Sequence, residues 1–539
     1  MLAGPHGAEH IRPMVSLRAR GVICSLLLAT PRLHAQPSPA RAVPRLIVLL
    51  TIDQLRADYI QRFSPQLTGG LAKLSHGGAW FTNAHHDHAI TETAPGHATL
   101  LAGRFPRSTG IMTNRAGVED DAYPLVAGGL GYGASPRRFA GTTLVDWLRA
   151  KDARSRALSV SVKDRAAILP IGRSKADVYW YSPDGRFVTS TYYRDSLPPW
   201  VTAFNARHLP QRFAEKSWTL LLPAGAYPEP DSVAVESGGV DFVFPHLLPD
   251  DSLDAASALR GTPFIDGITL AFALDGLQAL SLGVDSSRTD VLSVSLSATD
   301  YIGHRYGPDS REMHDQILRV DRAVGTFLDS LYRLRDSATI TLVLTGDHGA
   351  GTIPELATSV RPLPTRVTIV SQIQRLRADL RTAGVDTLAV DFDQQIIRAD
   401  RDAFRRAGLD ADSVLNVFAA AVRAIPGVAR VDRFSTLLAD TLTDAVARRW
   451  SHQIPASARV DLVITLTPYS LWGSIVASHG SPYDYDSHVP IIFFGAGVQP
   501  GRYDGFVRSV DIAPTLARLA GARPLERLDG VVLEAAIRP

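Results

Sequence analysis

From Leu46 onward the chain alternates short apolar runs with amphipathic stretches, and that alternation selects the elements. RLIVLLTI ending at Ile52, ALSVSV from Ala157, VLSVSLS from Val291, TITLVLT ending at Thr345, DLVITLT from Asp461 and VPIIFFGAG from Val489 are short, largely aliphatic and bounded by turn formers. Such runs predict buried strands. Met313, Ile317, Val320, Val324, Phe327 and Leu331 recur at three- and four-residue steps, which predicts one long helix with a single apolar stripe. DIAPTLARLAG predicts a last helix that stops at Gly521, a residue suited to the left-handed position after a helix. Strands alternating with helices predict an α/β fold, a doubly wound and mostly parallel sheet with helices on both faces.

Two stretches break the rhythm. Residues 179–262 are rich in Tyr, Trp, Pro and Asp with weak periodicity, and predict a loop-rich insertion whose Tyr179, Trp180, Tyr181, Tyr192, Tyr193 and Trp200 are candidates to wall a cleft. Residues 353–460 carry a small α+β pattern and predict an inserted cap. The catalytic core would then be residues 46–352 and 461–539.

Composition narrows the function classes. The chain has 539 residues, 45% hydrophobic, enough for a large core, and a formal net charge of +2. Arg12, Arg18, Arg20 and Arg32 oppose only Glu9 in residues 1–35, so the rest of the chain sits just below neutrality and lacks the basic footprint of a nucleic-acid binder. Residues 1–35 read as a signal peptide: basic residues, the apolar run Gly21–Thr30, then Ala35 as a cleavage point, with Met14 as an alternative start. The apolar run is too short for a membrane span, which takes about 20 residues. A Pro-rich linker, residues 36–45, follows. The expectation is a periplasmic or secreted protein with no membrane span in its mature form. Cys24, the single cysteine, lies in the signal behind Ile23 rather than a lipobox residue, so no thiol chemistry is expected after cleavage.

The chemistry sits at predicted strand ends. Asp53 follows the first apolar run, Asp300 and His304 follow VLSVSLSAT, Asp347 and His348 follow TITLVLT, and His488 precedes VPIIFF. Carboxylates and imidazoles at the carboxyl ends of strands suit a paired transition-metal site, two Zn²⁺ above all. Spacing of i, i+4 places Asp300 and His304 on one helical face. Gly346 and Gly349 give the Asp347-His348 turn backbone freedom. His479 competes with His488 as a ligand. Thr93, in TETAPGHATLLAGR, is a hydroxyl at a predicted helix start, where a metal can favour the alkoxide and N–H groups favour an anion. Asn114 could donate to a phosphoryl oxygen. Lys163 and Arg165, at i, i+2 after ALSVSV, would present two cations on one side of an extended segment to a dianionic phosphate.

Seven ordered motifs, TIDQLRADY, TETAPGHATLLAGRFPRSTGI, SVKDRAAI, SATDYIGHRYGP, LTGDHGA, HGSPYDYDSHVP and SVDIAPTLARLAG, together resemble the alkaline phosphatase superfamily. The nearest branch is the type I phosphodiesterase/nucleotide pyrophosphatase group with its periplasmic alkaline phosphatases. The resemblance implies two zinc ions about 4 Å apart. One would be held by Asp300, His304 and His488, the other by Asp53, Asp347 and His348 with Thr93 as its reactive ligand. It further implies a phospho-threonine intermediate, phosphate bound by Asn114, Lys163 and Arg165, and a monomer acting on small phosphate monoesters. A phosphodiesterase, a nucleotide pyrophosphatase or a phosphonoacetate hydrolase of the same fold is the alternative in chemistry. An exported metal- or phosphate-binding protein is the alternative in class.

Overall fold

The run Leu46–Ile52 forms β1, and all seven residues are buried. Leu46, Val48, Leu50 and Ile52 enter one apolar core while Ile47 and Leu49 enter the other, as a strand covered on both faces requires. The computed structural model describes residues 43–539 apart from Ala116 and Gln394, so the predicted signal peptide and most of the linker lie outside the described residues. Among the described residues no helix is long and apolar enough to cross a membrane.

The principal strands in chain order are β1, β2 (Ala79–His85), β3 (Ala157–Ser161), β4 (Asp177–Tyr181), β5 (Phe187–Val188), β6 (Asp290–Leu296), β7 (Ile340–Thr345), β8 (Val390–Asp393), β9 (Ile396–Ala399), β10 (Val428–Arg433), β11 (Leu462–Leu466), β12 (His488–Gly495), β13 (Gly501–Tyr503) and β14 (Val507–Arg508). Ten of them make one sheet in the order β13-β2-β12-β7-β1-β6-β3-β4-β5, with β14 also pairing with β2. Along this sheet β12 and β5 run against their neighbours and the other pairings are parallel. Thr51 is in register with both Ser295 and Thr345, so β1, β6 and β7 end on one rim. Open parallel sheets place their sites at that rim.

The long helix spans Arg311–Leu334, and all six residues of its predicted stripe are buried. Its first turn is capped by Ser310, whose hydroxyl accepts from the Met313 amide at 3.1 Å. The last helix, Ile512–Ala520, ends at Gly521 with φ +61, the left-handed conformation its sequence predicts.

Four expectations change. DLVITLT does not join the main sheet. It becomes β11 inside a separate antiparallel sheet, β8-β9-β11-β10, so the small sheet of the inserted segment extends beyond residue 460. AWFTNAH, whose half-buried Thr82 and Asn83 interrupt its apolar run, forms β2 because β12 pairs along one side of it and β13 and β14 along the other. Tyr179, Trp180 and Tyr181 belong to β4 and are core residues rather than cleft walls. Tyr192 packs on Tyr123 and Tyr193, and Trp200 on Tyr179 and Phe272, while further along the stretch Trp218 Nε1 and the Tyr227 hydroxyl close over the long helix, donating to the two oxygens of Asp315, each at 2.7 Å. Finally, neither Gly346 nor Gly349 has a positive φ. They supply room: a Cβ at Gly349 would lie 2.2 Å from the Tyr485 carbonyl oxygen, and one at Gly346 2.8 Å from that of Leu55.

Candidate metal centre

Three strands deliver the acids. Asp53 directly follows β1, Asp347 and His348 follow β7, and Asp300 and His304 ride the helix Ala298–Tyr306 that follows β6. All three carboxylates and His348 are buried. His348 Nε2 lies 3.4 Å from Asp53 Oδ1, 3.5 Å from Asp347 Oδ2 and 4.0 Å from Asp300 Oδ1. One turn of helix brings His304 Nε2 to 3.3 Å from Asp300 Oδ1. The described residues contain two sets with ligand geometry: Asp300, His304 and His479, and Asp53, Asp300 and His348.

His479, not His488, completes the first set. Its Nε2 is 3.2 Å from His304 Nε2 and 3.5 Å from Asp300 Oδ1, and its ring stacks on His348 at 3.6 Å. His488 opens β12 opposite His85, stacks on that ring at 4.6 Å and bonds the Thr82 carbonyl through Nε2 at 2.7 Å. Both histidines sit near the rim in sequence. The loop bend at Gly480, φ +107, turns His479 inward, whereas the register of β12 with β2 turns His488 away.

The tautomers suit metal ligation. Nδ1 of His304, His348 and His479 each faces a backbone carbonyl, of Ala477 at 2.8 Å, Gly349 at 2.9 Å and Thr91 at 2.7 Å. A carbonyl only accepts, so each Nδ1 carries the hydrogen and Nε2 presents its lone pair to the cluster. Two such lone pairs 3.2 Å apart, with Asp53 Oδ1 and His348 Nε2 buried and lacking any hydrogen-bond partner, fit bound cations. Neutral imidazole and carboxylate donors are the chemistry of Zn²⁺ and its neighbours in the transition series.

Thr93 is the first residue of the helix Thr93–Leu100 and is buried. Lys163 Nζ approaches its hydroxyl at 3.3 Å and also pairs with Asp53 at 2.6 Å and Asp300 at 2.5 Å. The pair Lys163 and Arg165 is not extended throughout. Lys163 is extended, but Arg165 lies in the first turn of the helix Asp164–Ile168, because Asp164 bonds its amide at 2.6 Å. The Arg165 guanidinium has one long ion pair, 3.7 Å to Asp164, and its Nε is buried without a partner. Asn114 Oδ1 accepts from the amide of Ala94, the residue after Thr93, at 2.9 Å, which assigns its NH₂ as the donor end.

A family model for type I phosphodiesterase / nucleotide pyrophosphatase matches residues 47–424. The chain belongs to that family. Among its relatives is alkaline phosphatase PhoV of Synechococcus elongatus, 32% identical over 509 residues, covering 89% of this chain and 90% of PhoV. Alkaline phosphatase PafA of Elizabethkingia meningoseptica is 29% identical over 524 residues, 92% of this chain and 95% of PafA. The crystal structure of wild-type alkaline phosphatase PafA superposes with a TM-score of 0.84 at 27% identity, covering 92% of this chain and 99% of that one.

In this family member the electrostatics of the cluster divide its acids. Burial, then the charge of Asp347, push the Asp53 carboxyl well above its usual range. Burial works the same way on Asp300 and Asp347, yet Lys163 and His304 hold Asp300 well below the usual range, and His348 and His97 hold Asp347 below it. Burial opposes the Lys163 ammonium, but Asp300 and Asp53 outweigh it and raise its pKa. Burial drives His348 well below its usual value and so keeps its imidazole neutral. For His479 burial is outweighed by the neighbouring Asp300 carboxylate, which favours the protonated ring, and its pKa rises.

Two supporting residues escaped the sequence reading. His97 Nδ1 is 2.9 Å from the Thr93 carbonyl and 3.1 Å from Asp347 Oδ2, while Ser295 Oγ lies 2.9 Å from its Nε2. It therefore braces the Thr93 helix against the Asp347 turn. Its position four residues after Thr93, one helical turn on, was the available signal. Gln54 touches two of the acids, and its place directly after Asp53 was the only hint.

Proposed function

We propose that the chain is an exported, metal-dependent phosphate monoester hydrolase, an alkaline phosphatase working on two Zn²⁺ through a phospho-Thr93 intermediate. The observation that carries this reading is Lys163 Nζ at 3.3 Å from the Thr93 hydroxyl, with the lightly paired Arg165 guanidinium close enough to Lys163, Asp53 and Asp300 for their charges to act on one another. Two fixed positive charges suit a group bearing two negative ones, so they favour a monoester dianion over a diester. PhoV, PafA and PhoK of Sphingomonas sp, 32% identical over 533 residues, are each named alkaline phosphatases.

Asp300, His304 and His479 would hold one ion, and Asp53, Asp347 and His348 the other. When bound, the ions supply Lewis acidity that favours a hydroxyl's deprotonated form and stabilises charge on the leaving oxygen. Thr93 Oγ1 forms a bond to phosphorus as the ester P–O bond breaks and the alcohol departs. Water then breaks the Thr93 phosphoester, releasing inorganic phosphate and restoring the hydroxyl. Arg165, Lys163 and the Asn114 NH₂ hold the non-bridging oxygens and stabilise charge there through both steps. The substrates are small phosphate monoesters, the mature enzyme acts as a monomer, and residues 1–35 direct it to the periplasm or exterior.

The family description itself names the second reading, a phosphodiesterase or nucleotide pyrophosphatase. Side-by-side kcat/KM values on p-nitrophenyl phosphate and bis-p-nitrophenyl phosphate separate the two. A monoester preference of a hundredfold or more is expected, and Arg165→Ala should cut the monoester rate far more than the diester rate. A diester preference overturns the monoesterase reading.

A further inference from the structure

Gln54 is a buried non-glycine residue with φ +65. A side-chain-bearing residue keeps this left-handed backbone only where its surroundings hold it there, and such residues gather at functional sites. Two hydrogen bonds hold Gln54. Its backbone amide donates to Asp347 Oδ1 at 3.0 Å, and its side-chain Nε2 donates to Asp300 Oδ1 at 2.9 Å. Those two acids come from β7 and from the helix after β6, on either side of β1, whose end carries Gln54. They would serve different ions.

The neighbouring helix makes space for this bridge. A Cβ on Gly303 would lie 1.8 Å from Gln54 Oε1, so only a bare helix face admits the amide. Oε1 is buried with no hydrogen-bond partner, and turning the amide over would set that oxygen against the Asp300 carboxylate. The amide is therefore fixed with its donor end toward Asp300.

The geometry points to Gln54 as a positioning residue that ties the two metal-ligand sets together, using its strained backbone for Asp347 and its side chain for Asp300. It fixes which carboxylate lone pairs remain for the cations and how far apart the two sets lie. The inference rests on the two-zinc reading above, and its test separates the two.

Gln54→Gly relieves the left-handed backbone, keeps the amide bond to Asp347 and removes the bond to Asp300. Gln54→Met keeps bulk and strain but removes the same donor. Zinc affinities of the full-length metal-free enzyme and both variants would be read by chelator competition, with Tm of the metal-free forms alongside. The expected result is that one of two zinc ions weakens about 10- to 100-fold in both variants while the other is unchanged. Tm of Gln54→Gly should hold or rise. Two ions bound as in the wild type, or both weakened together with a falling Tm, overturns the positioning role. A wild type that binds no zinc overturns the metal reading instead.

Discussion

A single histidine decides the composition of the site. His479 aims Nε2 into the Asp300–His304 set and pins Nδ1 on the Thr91 carbonyl, while His488 spends Nε2 on the Thr82 carbonyl. His479→Ala should cost one bound zinc, with affinity lower by tenfold or more, and His488→Ala should leave both. Zinc counted by atomic absorption after dialysis against buffered metal checks this, and equal losses from the two variants would contradict the geometry. Thr93→Ala should retain its metal yet lose nearly all turnover, with no phosphate trapped on the chain on acid quench. Near-normal turnover would remove Thr93 from its role.

At the scale of elements, the nucleophile's position depends on how tightly its helix meets the turn after β7. Gly96, one turn into Thr93–Leu100, packs directly on that turn: a Cβ there would stand 2.2 Å from the Asp347 carbonyl oxygen. No flexible side chain can yield at such a contact, since the obstacle is backbone. Gly96→Ala should therefore push the helix off the turn, destabilising the fold by about 1–3 kcal/mol and moving Thr93 relative to Asp347. Denaturant unfolding gives the first quantity, and kcat/KM the second. A variant as stable and active as the parent would mean that the helix is free to slide.

Across the whole molecule, the inserted segment is joined to the core beside the site. Asp87, in the loop between β2 and the Thr93 helix, meets Arg448 Nη2 at 3.1 Å and His452 Nδ1 at 3.3 Å, both on the helix Ala445–Gln453. Burial opposes the Asp87 charge, but these partners lower its pKa to about 2. A depressed folded-state pKa contributes stability above the ordinary carboxylate value, lost as pH falls through the folded one. That contribution is about 2 kcal/mol. Asp87→Asn should thus be less stable than the parent at pH 5, with the gap closing toward pH 2. A gap that stays constant across that range would show the charge to be irrelevant.

Much of this was legible in the chain because it depends on local order. The uninterrupted aliphatic run of β1 can only be a strand covered on both faces, the six-residue stripe can only be one buried face of a long helix, and Asp300 with His304 at i, i+4 share one helical side wherever that helix lies. Asp53, Asp347 and His348 were likewise visible as costly polar groups directly after apolar strands. Tertiary structure decided what depends on which segments meet. DLVITLT reads as a core strand, yet its partners are β9 and β10, since an apolar strand satisfies its edges equally well in either sheet. His479 and His488 are equivalent as chemistry, and only the Gly480 bend and the pairing of β12 with β2 aim one ring inward and the other away. His97 and Gln54 look like ordinary polar residues until β1, β6 and β7 end together and bring Ser295, Asp300 and Asp347 within reach of them.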